Sequence, residues 1–219
     1  MKPFFNLRFE NQDEARIKAY SLARSLDPAI LNFDYNLVLP EHRVSPDPNR
    51  VVRLYKGAPR GFEQEGLLSL AIWLKKLDEI EKTKKLIESG KREEIEKLFD
   101  NHTSYNGITA LVSATYNPEM AQVFAPVNSR FRDNTIYEIN LPASRCVIDC
   151  HDTGRAGHSR EILILGMIFP HEISRIKINN TLEESELITQ CGRYVRMLHD
   201  PKSTNTEVKN PKNWKVKDE

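Results

Sequence analysis

Apolar residues recur at helical spacing near the start of the chain and at strand spacing further on. In residues 11–26, Ala15, Ala19, Leu22, Ala23 and Leu26 fall on one helical face, Asp13 and Glu14 sit in the first turn, and Asp27-Pro28 closes the run. That spacing predicts an amphipathic helix. A proline-rich loop, 40–49, leads into Val-Val-Arg-Leu-Tyr-Lys, 51–56, which predicts a strand, and Gly57, Ala58, Pro59, Arg60 and Gly61 are expected to end it sharply. Between 66 and 100 the composition shifts to Leu, Ile, Lys and Glu, with Leu67, Leu70, Leu74, Leu77 and Ile80 on one face. Two helices are expected there, broken near Ser89-Gly90, their mixed charges forming solvated faces.

Further along, 107–112 predicts a second strand. Asn117-Pro118 opens a short helix through Met120, Ala121, Val123 and Phe124, with Asn as N-cap and Pro at the first helical position. Residues 135–141 alternate, with Tyr137, Ile139 and Leu141 on one face and Glu138 and Asn140 on the other, so a half-buried strand is expected. Short strands are predicted at 146–148, 161–165 and 173–178, and the polar, Gly-containing stretch 151–160 reads as a mobile loop. From His199 the chain turns polar, which predicts a loosely ordered tail over 200–219 apart from whatever Trp214 anchors. No internal repeat is present.

With 219 residues, this pattern fits one domain, 1–199, followed by the tail. Lys and Arg number 32 against 31 Asp and Glu, a net charge of +1, which argues against a dedicated nucleic-acid binder. The mean hydropathy is −0.54 and no apolar run reaches membrane-spanning length, so a soluble protein is expected. Asn6, Arg8 and Glu10 interrupt any secretion-signal core at the N-terminus. Three cysteines, Cys146, Cys150 and Cys191, suit a reducing compartment. The expected location is the cytoplasm, or a target cell's cytosol reached by export without a Sec signal.

Three local patterns carry candidate chemistry. A strand ends in cations (Arg-Leu-Tyr-Lys-Gly-Ala-Pro-Arg, 53–60), a second ends in hydroxyls before a helix (Leu-Val-Ser-Ala-Thr, 111–115), and a polar loop ends in an acid heading an apolar strand (His-Ser-Arg-Glu-Ile-Leu-Ile-Leu-Gly, 158–166). In this order and spacing they resemble the mono-ADP-ribosyltransferases of the cholera- and pertussis-toxin type, whose motifs are a strand Arg, a Ser-Thr-Ser strand and a Glu-x-Glu loop. The resemblance covers roughly 51–178. It implies an α+β domain of two small packed β-sheets forming an NAD cleft, here with an N-terminal helix and a helical insertion at about 66–100. It also implies an enzyme that moves ADP-ribose from NAD to an acceptor and releases nicotinamide.

Such chemistry breaks a glycosidic bond through a positively charged, oxocarbenium-like transition state. The resemblance gives Glu161 the role of stabilising that cation, Ser113 and Thr115 the nicotinamide end of the pocket, and Lys56 with Arg60 or Arg53 the diphosphate. Two positions depart from the family pattern, besides Ala114 in place of the middle Thr. Lys56 stands where Arg is expected, and an ammonium lacks the two-pronged donor set of a guanidinium. Arg53, three residues earlier and on the opposite strand face, would serve only through a local bulge. Ser159 stands where arginine-modifying members carry the first Glu, which leaves the acceptor open, a protein side chain being the first expectation. His151 and His158 lie in the same loop as candidate bases, against the ordinary role of solvated loop histidines.

Other chemistries are less well supported. Cys146, Cys150, His151 and His158 lack a second paired ligand set for zinc, so no metal is expected. No Gly-rich dinucleotide loop, P-loop or Gly-x-Ser-x-Gly elbow occurs. Two alternatives to a transferase stand beside it: an inactive module of the same fold holding a target or activating protein through the cleft or the 66–100 helices, and an NAD glycohydrolase using water as acceptor.

Overall fold

A computed structural model of the chain describes residues 12–59, 65–103, 108–118, 120–121, 134–149, 161–179 and 215–216. Helix α1, Gln12–Arg24, is the predicted amphipathic helix and buries Ala19, Tyr20 and Ala23. Strand β1 spans Val51–Pro59, continuing through Gly57 and Ala58 where a sharp stop was expected. It continues because every residue from Val51 to Pro59 finds a partner on β4, Asn134–Pro142. Only Tyr55 of β1 pairs on the other side, so a proline at the strand's end interrupts no second ladder.

The 66–100 region holds more than the two expected helices. Strand β2, Leu67–Leu68, and a four-residue helix α2, Leu70–Trp73, precede α3, Asp78–Glu88, and α4, Arg92–Thr103. Leu67 is drawn into a strand and Lys75 takes a left-handed φ of 58°, so the supposed continuous Leu face is split in two. Of that face Leu67 and Ile80 are buried, joined by Ala71, Ile72, Ile87, Ile95 and Phe99. The break at Ser89-Gly90 stands, with Gly90 at φ 68°.

Strands β3, Leu111–Thr115, β5, Cys146–Ile148, β6, Glu161–Leu165, β7, Met167–Ile168, and β8, Ile173–Asn179, complete the framework. β3 starts four residues later than predicted. Six strands form one antiparallel sheet in the order β5-β6-β3-β1-β4-β8, and the two-residue β9, Lys215–Val216, extends it past β8 from within the predicted tail. A separate sheet pairs β2 with β7. Two small packed sheets were expected; the structure instead has one large sheet and a two-stranded one, and within the large sheet two halves, β5-β6-β3 and β1-β4-β8, pair only at Tyr55 and Thr115. Leu54, Ile139 and Leu141 from one half share a single core with Val112, Val147 and Ile162 from the other.

β4 is covered on both faces rather than half-buried: Thr135, Ile136, Tyr137, Glu138 and Ile139 are all buried. Ile136 packs with Tyr55 and Ala121 in a second, small cluster. Between β6 and β7 the chain turns at Gly166, at φ 75°, where a Cβ would lie 2.5 Å from Leu31 Cδ2. A buried ion pair braces this corner, Arg145 Nη1 to Glu172 Oε1 at 2.7 Å, with the other carboxylate oxygen accepting from the Phe169 amide at 2.8 Å. Among the described residues no helix is long and apolar enough to cross a membrane.

Candidate functional site

β3 and β6 run antiparallel in continuous register, which sets Glu161, the first residue of β6, directly across from Thr115, the last of β3. The four residues after Glu161 are fully buried and anchor the strand, leaving the acid at the sheet's end. Asp149, just past β5, donates its backbone N–H to the Glu161 carbonyl at 2.9 Å. Ser113, two residues before Thr115, donates its hydroxyl to the Glu161 carboxylate.

Lys56 reaches the same place from β1. Its ammonium donates to the Ser113 carbonyl oxygen at 2.8 Å. Burial pulls this lysine down to about 8, while the Glu161 charge works in the opposite direction. Burial likewise raises the Glu161 carboxyl above its ordinary value; the Ser113 hydrogen bond opposes the rise, the Asp149 charge adds to it and Lys56 opposes it. A part-buried ammonium, an acid and a hydroxyl are thus brought together at the point where the two halves of the sheet meet.

Two further members come from outside the three motif patterns. His102, in the last turn of α4, contacts Ser113 Oγ through Nε2 at 2.8 Å and Thr109 Oγ1 through Nδ1 at 2.6 Å. Burial, and then the charge of Lys56, push its imidazole down to about 4. Nothing local marks His102, whose partners lie seven and eleven residues downstream. The only sequence signal is a polar run, His102, Thr109 and Ser113, bracketing the apolar entry to β3.

The remaining predicted residues distribute differently. Arg53 lies 3.7 Å from buried Glu138 on β4. The β1–β4 register is continuous from Val51 to Pro59, so the bulge needed to turn Arg53 toward Lys56 is not there and the two side chains leave opposite faces. Thr115 Oγ1 accepts the Asn117 N–H at 3.1 Å, and the Ala121 N–H donates to the Asn117 carbonyl at 3.2 Å. Its hydroxyl therefore serves the turn that opens the following helix. Arg60, Ser159, Cys150, His151 and His158 lie outside the described residues. No family model and no curated protein matches the chain. The chemistry must accordingly be read from the cluster itself.

Cys146 is buried in β5, where burial raises its thiol well above the usual range. Among the described residues no group of His, Cys, Asp and Glu side chains is placed to hold a metal ion. An open groove of about 670 Å³, lined among others by Lys18, Ser21, Lys75 and Asp78, shares no residue with the Glu161 cluster.

Proposed function

We propose that the chain is an NAD-dependent mono-ADP-ribosyltransferase, with Glu161 as the acid that faces the developing cation. The observation that carries this reading is the convergence of Lys56, Ser113 and Glu161, drawn from three separate sequence patterns, into one hydrogen-bonded cluster. The donor set suits NAD: a part-buried ammonium for a diphosphate oxygen, and a carboxylate for the ribose. The dinucleotide is proposed to lie against this cluster, beside the place where β1 and β3 meet.

In the reaction, the bond between ribose C1′ and the nicotinamide nitrogen breaks and its electron pair leaves with nicotinamide. Positive charge spreads over C1′ and the ring oxygen, where the Glu161 carboxylate stabilises it. An acceptor nucleophile then bonds to C1′ and gives up its proton. Glu161 must be ionised for this, and the Ser113 hydrogen bond and the Lys56 charge favour that form against the cost of burial. The acceptor is proposed to be a protein side chain, and Ser159 in place of the motif's first Glu removes the feature that would favour a guanidinium.

Nicotinamide release from NAD, followed for the protein and for Glu161→Gln, tests the reading. The substitution is expected to lower the rate on the order of a hundredfold or more. Equal rates in the two proteins, or none in either across a panel of lysates, would overturn it. Free ADP-ribose without labelled protein would identify water as the acceptor.

A further inference from the structure

The hydrogen bonds around Ser113 have only one consistent direction. A Glu161 carboxylate can only accept, so the Ser113 hydroxyl donates its single proton to it. Ser113 Oγ must then accept from His102, which places the imidazole proton on Nε2. A neutral imidazole carries one proton, so Nδ1 accepts, and the Thr109 hydroxyl donates to it. The chain runs Thr109 to His102 to Ser113 to Glu161 without an unmatched donor or acceptor.

We propose that His102 is a positioning residue for Glu161: anchored by Thr109, it fixes the Ser113 hydroxyl so that its proton points at the carboxylate. A serine hydroxyl is otherwise a free rotor that can turn its one proton away from the carboxylate. By occupying a lone pair of Ser113 Oγ, His102 leaves the proton one well-placed destination. Helix α4 thereby enters the site through its last turn. Only the kinetic part of the expectation rests on the transferase reading.

The charges acting on Glu161 are Lys56 and Asp149, and neither is altered by changing His102. The test therefore follows the Glu161 side-chain carboxyl by ¹³C NMR as a function of pH in the full chain, in parallel with nicotinamide release. His102→Phe is expected to raise the Glu161 midpoint in the same direction as Ser113→Ala. It should also lower kcat by about tenfold to a hundredfold with KM changed less than about threefold. His102→Gln, which can keep a donor near the Nε2 position, should recover most of both effects. Thr109→Val, nearly isosteric, should move the midpoint the same way by a smaller amount and covers the case in which the Phe variant does not fold. A midpoint unchanged in His102→Phe or in Thr109→Val, while Ser113→Ala shifts it, would overturn the proposal. Shifted midpoints in a protein that releases no nicotinamide would refute the transferase reading and leave the positioning role standing.

Discussion

Lys56 is the residue whose surroundings change its chemistry most usefully. Held at about 8 by burial, it loses its charge in a range where an arginine would keep it. If it binds a phosphate oxygen of NAD, kcat/KM for nicotinamide release should fall as pH rises through about 8. Lys56→Arg should remove that alkaline limb, and a limb that persists unchanged in the arginine variant would assign it to another group. On the acid side, activity should fail at a higher pH than an ordinary glutamate would set, because the Glu161 value is raised by burial. Stability follows a separate sign. His102 at about 4 lies below its unfolded value of about 6.5, so the unfolded chain binds the extra proton first. Stability is therefore full above about pH 6.5 and is lost as pH falls toward 4; denaturant midpoints for the protein and for His102→Gln should diverge at neutral pH and approach one another in acid. The place of Glu161 at the head of β6 was legible from the apolar run that follows it, whereas the contact of His102 with Ser113 was not, because a histidine ending a charged helix looks the same whether it meets water or a serine.

At the scale of elements, short apolar runs between polar residues mark their own bounds, whereas the helix expected over 11–26 and the alternating strand expected over 135–141 end one or two residues away, at Gln12–Arg24 and Asn134–Pro142. Cys146–Ile148 and Glu161–Leu165 are apolar stretches flanked by polar residues, and they emerge at the expected bounds. Errors arose where two explanations competed for the same leucines. Leu67 through Ile80 fits a helical face, but Gly66 at φ 87° and the pairing of Leu67 with Ile168 give the first part to a strand. Long-range pairing of that kind leaves no local trace. The same limitation hid the corner after β6, where Arg145 and Glu172, distant in sequence, form a buried pair. Removing one charge there strands the other, so Glu172→Gln should cost about 3–5 kcal/mol in urea unfolding. Gly166→Ala should cost roughly 2 kcal/mol, since a left-handed φ and contact with Leu31 act together. A loss below about 0.5 kcal/mol in either variant would show that the corner relaxes without penalty.

For the molecule as a whole, the mixed α/β class and most strands were foreseeable, since alternation and buried runs mark them directly. The joining of the sheet was not. β1 carries a full ladder to β4, yet meets β3 at one residue pair, and no property of Tyr55 or Thr115 announces that. Three candidate patterns are visible in sequence order; only the placing of β1 beside β3 brings Lys56 to Ser113. A seam one rung wide is a crease, and its angle is governed by the core side chains beneath it rather than by backbone ladders. Amide hydrogens within β3–β6 and within β1–β4 should accordingly exchange with deuterium only on global unfolding, with those at the rung escaping sooner. Uniform protection across Tyr55 and Thr115 would mean that the halves move as one slab. Unequal protection would instead mean that the distance from Lys56 to Glu161 breathes with the crease, opening and shutting the charge pair as a book does its facing pages.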